Sequence, residues 1–567
     1  MSEIAMTTVP KQRFRIPSAA KLRSMPIYVW LIPLILLPNV LMLFYSFLTF
    51  RNSRVVFDPT VASYARMFTS PSVWYLLLRT LRVSAASAGI AMLIAYPMAL
   101  YASNMRRGKS IAVMLVIIPL WISLLMRIFA WRIILGENGV INTALVHMGL
   151  ISKPIESLLY SPFAVFLTFV YTAIPFVFIS VFSVIDRIPT SLSQAASDCG
   201  ASEFRVFTHV IWPLSKPGVA IGVALAFLIA VGDYVTPSIV GGLDGTMLGT
   251  VIASQFGMAG NWPYGAALSL MLLVVVALAS GLLLSLLRVR GSAEGDAIRE
   301  TKTEKAFYSA GERLGNKLKF CLFVLPFLIL YAPLVLLTVF SFNNSTVQTL
   351  PLQGFTFHWY ESILQTAPLL AALRQSLVVG GAVLGVSVVC GTVFAVLLTY
   401  GHLRFRALLE KLLLLPLALP GIILGITLVL TFHALHVPAG LPRLVLGHST
   451  FVMPVIMSVV VDRLRRLDPS LLNAAMDLGA GPGRTFLYIL FPLVKSAIFG
   501  GALLGLTLSI DEVVISTFLV ADQPTLPVWV LNQMRFGFTP SVNAIFVCIG
   551  LATFTLIVLS QYIIRRK

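Results

Sequence analysis

The chain has 567 residues, 58% of them hydrophobic and only 11% charged, and a net charge of +19. A soluble domain carries about 25% charged residues, so the composition excludes a soluble enzyme and specifies a polytopic, all-α membrane protein. Most of the 41 Lys and Arg fall between apolar runs on one side, which the positive-inside bias makes the cytoplasm; the charge reports topology and argues against nucleic acid as a partner.

Residues 1–26, with Lys11, Arg13, Arg15, Lys21 and Arg23, read as a cytoplasmic tail. The apolar run that follows is about 24 residues long, more than the core of a cleavable signal, and reads as a retained first span. Further spans are expected at 76–101, 110–135, 163–184, 217–240 and 264–287, the first at 27–50. Between the second and third lies Gly108-Lys109-Ser110, which imitates the end of a phosphate-binding loop. The position of that motif's first Gly holds Ser103 and no strand precedes it, so it reads as a basic turn. A charged linker at 288–319 separates this first domain, 27–287, from a second, 320–567. The second domain repeats the plan with spans at 320–342, 370–400, 408–435, 449–461, 497–519 and 542–563. The run 449–461 is short for a crossing and puts Asp462 close to the membrane surface. About twelve spans leave both termini inside. Six per half makes the repeats parallel, with a pathway between them.

Each half carries one polar stretch between its fourth and fifth spans, 185–216 and 462–495. Gln194-Ala195-Ala196 with Gly200 and Pro213 recurs 279 residues later as Asn473-Ala474-Ala475 with Gly479 and Pro492, and Ala201, Arg205 and Lys216 recur as Ala480, Arg484 and Lys495. Each copy reads as a short helix meeting a Gly, then a second helical piece ending at the Pro, with small residues that let another protein approach closely. Both serve as docking elements facing the cytoplasm.

The fifth and eleventh spans carry acids at matched positions, Gly232-Asp233-Tyr234 and Asp511-Glu512, about fifteen residues from the cytoplasmic end, or ~23 Å along a helix. An acid at the membrane centre costs roughly 2.5–3.5 kcal/mol, so it faces a partner or a cavity. Three readings stay open at this point. The acids pair with Arg127 or Arg132, or with Arg79, Arg82 and Arg374, and fix packing or gating; or Asp233, Tyr234, Asp511 and Glu512 line a cation pathway; or the acids lie at a partly hydrated outer end and do little. Pro237, Pro416 and Pro420 break helical ladders around that region. His433 and His436 read as an interfacial pair without metal partners, and Trp121, Trp131 and Trp262 as interface anchors. Four scattered Cys form neither a disulfide framework nor a metal site. No catalytic grouping is visible.

The duplicated turn resembles the coupling loop of ABC-importer permeases, Glu-Ala-Ala, three residues, Gly, nine residues, Ile, one residue, Leu-Pro. Its spacing is intact in both copies; Gln194 and Asn473 replace the Glu, so an ion pair with the ATPase becomes a neutral hydrogen bond. The first half further resembles the first permease of spermidine/putrescine-type importers through Trp121-Ile122-Ser123-Leu124-Leu125-Met126-Arg127, Gly136-Glu137-Asn138-Gly139 and Gly232-Asp233-Tyr234-Val235-Thr236-Pro237. The second half resembles the companion subunit through His358-Trp359-Tyr360, Leu415-Pro416 with Pro420-Gly421-Ile422, and Thr525-Leu526-Pro527-Val528-Trp529. The resemblance implies two fused permeases of the type I fold in a bacterial inner membrane. It also implies a cytoplasmic ATPase homodimer that holds ATP and Mg, a periplasmic solute-binding protein, and no cofactor or enzymatic step in this chain. Polyamines lead as cargo, with ferric iron, thiamine or an aminophosphonate as alternatives. A proton-coupled secondary transporter or a passive channel would leave the repeated cytoplasmic turn without a purpose.

Overall fold

A computed structural model describes residues 20–286, 313–346, 348, 352–536 and 540–565, apart from 106, 402 and 469. Most of the expected tail and linker, the C-terminal Arg566 and Lys567, and the side chain of Trp121 lie outside the described residues.

The first half runs α1 (Ala20–Leu31), α2 (Leu37–Tyr45), α3 (Ala62–Thr69), α4 (Pro71–Asn104), α5 (Lys109–Ile117), α6 (Leu124–Leu135), α7 (Val140–His147), α8 (Pro162–Ile185), α9 (Thr190–Asp198), α10 (Glu203–Val206), α11 (Trp212–Gly232), α12 (Leu248–Phe256) and α13 (Trp262–Leu286). The second runs α14 (Arg313–Phe340), α15 (His358–Gln365), α16 (Ala367–Tyr400), α17 (Arg406–Ala418), α18 (Gly421–Ala434), α19 (Leu441–Arg465), α20 (Ser470–Asp477), α21 (Pro482–Thr485), α22 (Phe491–Asp511), α23 (Val514–Leu519), α24 (Leu526–Phe536) and α25 (Ser541–Arg565). Among the described residues nine helices are long and apolar enough to cross a membrane. Two bent pairs, at 109–147 and 406–434, and α25 account for the remaining spans.

The first span ends at Tyr45, and the chain then forms a hairpin, β1 (Thr49–Arg51) against β2 (Arg54–Val56), turned by Asn52 and Ser53 at positive φ. This is an addition to the expected all-helical plan. The expected short span at 449–461 is instead the whole of α19, 25 residues, and Asp462 lies within it, bonded to Arg466 at 2.8 Å. The third span of each half is broken: by 85° between α5 and α6, where the sequence reading had it continuous, and by 107° between α17 and α18 at Pro420, one of the prolines expected to break the ladder, whereas Pro416 stays inside α17. Pro119 and Pro420 lack the N–H that would carry the ladder across.

Three pairs of hydrogen bonds show the repeat in three dimensions. Ser46 and Tyr64 share a hydroxyl contact at 2.7 Å, as do Ser341 and Tyr360 at 2.6 Å. Thr60 caps Ala62 N–H and Thr356 caps His358 N–H, both at 3.1 Å. Thr80 Oγ1 accepts from Leu248 N–H at 3.0 Å and Ser376 Oγ from Leu526 N–H at 2.8 Å, each tying a hydroxyl of the second span to the first turn of a short outer helix. Thr80 and Ser376 are 296 residues apart, not 279. The difference is taken up in residues 136–161, which include α7; the second half joins α18 to α19 through 435–440 alone. Asn142 anchors this extra lobe through Gly136 O, Ile155 O and Ile155 N–H.

The two halves exchange their first spans. α14 packs on α4 and α6 of the first half, where Phe323 stacks on Tyr101 at 4.7 Å, Tyr331 donates to Leu115 O at 2.7 Å and Leu330 O accepts from Tyr171 at 3.1 Å. In return α1 and α2 pack on α16 and α18, with Trp30 edge-on to Phe394. The core of the second half therefore contains the first span of the first half, while the core of the first half takes in α14 together with residues of α18, α24 and α25.

Candidate functional site

The repeated turn has one physical design. α9 and α20 end with Gly200 and Gly479 at φ +81° and +78°. Ala201 N–H reaches Ala196 O at 3.0 Å and Ala480 N–H reaches Ala475 O at 3.0 Å, the long bond of a Schellman cap. The Ala-Ala-x-x-x-Gly spacing is thus a helix C-cap, and it places the Gly where an L side chain is strained. A Cβ on either Gly would meet nothing within 4 Å, so conformation alone requires glycine there. Asp468 accepts Ser470 N–H at 2.9 Å at the start of α20, and the backbone and hydroxyl hydrogen bonds of Ser470 hold its carboxyl below the usual range.

Gln194, Asn473 and Ala196 are partly exposed, Ala195, Ala474, Pro213 and Pro492 are exposed, and Ala475 is buried against the chain itself. Phe204 on the first loop is 73% exposed, and Leu478 and Tyr488 on the second are 88% and 77% exposed. Large apolar side chains held this far out on polar turns between membrane spans suit a partner protein. The helix after each turn does not stop at its Pro, contrary to the expectation from sequence. Residues 207–211 and 486–490 widen into a π turn, which accommodates the missing N–H of Pro213 and Pro492, and the helices run unbroken from Glu203 to Gly232 and from Pro482 to Asp511. Lys109 of the phosphate-loop imitation is paired with Asp186, the residue after α8.

Those two long helices then break at the acids. Asp233 Oδ1 accepts Val235 N–H at 2.7 Å and Thr236 N–H at 3.0 Å, while Oδ2 takes the Thr236 hydroxyl. Asp233 is 8% exposed and caps the half-helix that follows the break. Glu512 does the same in the second half through Ile515 N–H at 2.8 Å. Asp511 is turned the other way, onto the other half: its Oδ2 accepts Leu124 N–H at 3.2 Å, with the Ser123 hydroxyl beside it, at the first turn of α6. The counterpart of Asp511 is Gly232, and it meets the break of the opposite third span, where a Cβ would come to 2.8 Å from Pro420 Cβ. Broken third and fifth spans of the two halves therefore meet twice, once as a carboxylate on a helix N-terminus and once as glycine on proline. Tyr234 is buried between them against Phe518 at 5.7 Å.

Among the described residues no ion pair joins these acids to the arginines considered from sequence. Arg132 donates to Met534 O and Tyr160, and Arg79 to the carbonyls of Asp244 and Thr246. Trp131 is buried on Tyr171 and is no interface anchor; Trp262 packs on Tyr45, Phe256 and His433. His436 sits at positive φ just past α18.

Sequence reasoning missed His448. It is fully buried in α19, with Nδ1 3.0 Å from Ser509 Oγ and Nε2 2.8 Å from Ser516 Oγ, so it straddles the break at Asp511 and Glu512. Ser516 donates its one hydroxyl proton to Glu512 O, so Nε2 carries the imidazole proton and Nδ1 accepts from Ser509. The corresponding residues of the first half are Phe169, Ala230 and Pro237, and the staple exists on one side only. Its sequence signal was a lone His within an apolar run flanked by Ser.

Residues 21–289 and 387–566 match the family described as binding-protein-dependent transport system inner membrane component. The spermidine/putrescine transport system permease protein PotB of Haemophilus influenzae is 36% identical over 254 residues, 44% of this chain and 88% of its own. The putrescine transport system permease protein PotI of Escherichia coli K12 is 36% identical over 230 residues, 39% of this chain and 82% of its own. A solved bacterial alginate ABC transporter, in complex with an alginate pentasaccharide-bound periplasmic protein, aligns with a TM-score of 0.40 at 17% identity over 47% of this chain and 92% of its own. With nearly whole permeases matched by less than half of its length, and with two copies of one turn, the chain belongs to the binding-protein-dependent inner-membrane transport components as two ABC-importer permeases joined in one multi-pass polypeptide.

Proposed function

We propose that this chain imports polyamines such as spermidine and putrescine, or closely related small amines, into the bacterial cytoplasm. The observation that carries the reading is the match to permeases named for spermidine and putrescine over most of those proteins' lengths. The acids at the contact of the two halves are the right chemistry for a cation: Asp233, Asp511 and Glu512, with Tyr234 between the halves, form the substrate pathway.

In this reading 27–287 and 320–567 are the two permease domains and both termini are cytoplasmic. A separate ATPase homodimer, which holds ATP and Mg, grips Gln194, Ala195, Ala196, Gly200 and Pro213 with one subunit and Asn473, Ala474, Ala475, Gly479 and Pro492 with the other. Phe204, Leu478 and Tyr488 add apolar contact. Nucleotide-driven closure of the ATPase moves α9 and α20, and the unbroken helices that follow them carry the movement to the breaks at Asp233 and Asp511. A periplasmic solute-binding protein delivers the amine to the outer face.

Uptake of radiolabelled spermidine and putrescine into proteoliposomes holding this chain, its ATPase and its binding protein tests the reading. Uptake that requires enclosed ATP and the binding protein is expected. Uptake driven by a proton gradient without the ATPase would overturn the importer assignment, and ATP turnover with ferric iron, thiamine or an aminophosphonate transported instead would overturn the amine.

A further inference from the structure

Arg127 lies on α6 one turn beyond Leu124, the residue whose N–H binds Asp511, and on the same face of the helix. It is 6% exposed, and its Nε has no hydrogen-bond partner. α6 also packs on the half-helix that Asp233 caps, so the guanidinium lies at the contact that brings Asp233 of its own half and Asp511 of the other together. Asp511 Oδ1 is also buried and without a partner, although its Oδ2 is bound. A guanidinium out of water would ordinarily be fixed by short, paired hydrogen bonds to a carboxylate. Here the cation and the carboxylates sit in one another's field with polar atoms of both left unmatched. One arginine and three carboxyl groups meet at this contact, so the acids outnumber the resident cation.

We propose that Arg127 is a tethered counter-cation: it occupies the field of Asp233 and Asp511 while the pathway is empty and yields that field to the ammonium group of a passing amine, so that it sets which solutes can bind. This deepens the amine-import reading and rests on it. Guanidinium and substrate ammonium compete for the same carboxylates, so a neutral or anionic solute gains nothing by entering and a cation must displace a resident charge. The same competition aids release, because Arg127 returns to the acids as the amine leaves. Arg127 acts through Asp233 and Asp511 and is a specificity-determining residue, not a conduit itself.

The test is equilibrium binding of radiolabelled spermidine to the full chain with its ATPase in lipid nanodiscs, without the binding protein, alongside uptake by the complete system. Arg127→Met is expected to bind spermidine at least tenfold more tightly than the unsubstituted chain while transporting it more slowly. Arg127→Lys is expected to restore much of the original behaviour, and the gain is expected to vanish in Arg127→Met/Asp511→Asn. A residue that merely supports packing would not tighten binding. Binding by Arg127→Met that is unchanged or weaker, in a complex that still hydrolyses ATP, would overturn the proposal and leave amine import standing. Should Arg127→Met fail to assemble, Arg127→Gln, which keeps a hydrogen-bond donor and removes the charge, decides by the same criterion. No amine binding or uptake by the unsubstituted complex would overturn the import reading and this inference with it.

Discussion

At Gly200 and Gly479 the backbone conformation, and nothing in the surrounding packing, sets the residue. An L residue in the left-handed region costs about 1–2 kcal/mol, with Asn the least penalised because its side chain bonds locally. We therefore expect Gly479→Val to abolish ATP-driven uptake and Gly479→Asn to retain a large part of it, with ATP hydrolysis uncoupled from transport in the Val variant. If both variants failed equally, the open side of the glycine would be a contact surface and not a conformational hinge point. Asp511 is a different kind of residue, a helix cap supplied by the opposite half. Asp511→Ala should lower the thermal stability of the assembled chain by about 1 kcal/mol, the ordinary loss for an N-cap, and Asp511→Ser should recover part of it. Differential scanning fluorimetry of the purified chain reads both.

Helices that the sequence presents as uninterrupted apolar runs turn out to be broken at related places. The periodicity of 163–184 or 370–400 made those spans legible because a long apolar run has one solution in a bilayer. The break at Pro420 was announced by its proline, but those at Ser123, Asp233 and Glu512 were harder to read, since a capping side chain inside an apolar run has the same composition as a buried acid awaiting a partner. Only the hydrogen bonds of Asp233 to Val235 and Thr236 distinguish the two. The repeated turns were legible as turns because they recur in register, whereas the continuation of their helices past Pro213 and Pro492 depends on π turns that carry no residue signature. His448 holds the second break together. His448→Phe, which copies the first half at Phe169, should cost about 1–3 kcal/mol by leaving the Ser509 hydroxyl without its acceptor. Thermal unfolding measures that loss, and Ser509→Ala in the same background should recover it. At the other junction, Gly232→Ala brings a Cβ into Pro420, so α11 and α18 are forced apart; slowed uptake with normal assembly is expected.

The exchange of first spans makes the halves inseparable as folded units even where no peptide bond is needed. Each core is completed by a helix from the other half: α14 with Tyr331 and Phe323 on one side, α1 with Trp30 on the other. Severing the chain between Leu286 and Arg313 and producing the pieces together should therefore give a complex that copurifies and transports, while either piece alone should aggregate or be degraded. Copurification through a tag on one piece, with recovery of the other, checks it.

The same exchange has a consequence in time. α1 and α2 leave the ribosome before any part of α18 exists, and roughly 380 residues of synthesis at about 5–20 residues per second separate them, an interval of about 20–80 s. During that interval the first span stands in the bilayer with its eventual contact face turned to lipid or to a chaperone. The last of its neighbours to be made decides when the earliest-made helix reaches its final place, so the first span to be synthesised is among the last to be fully packed.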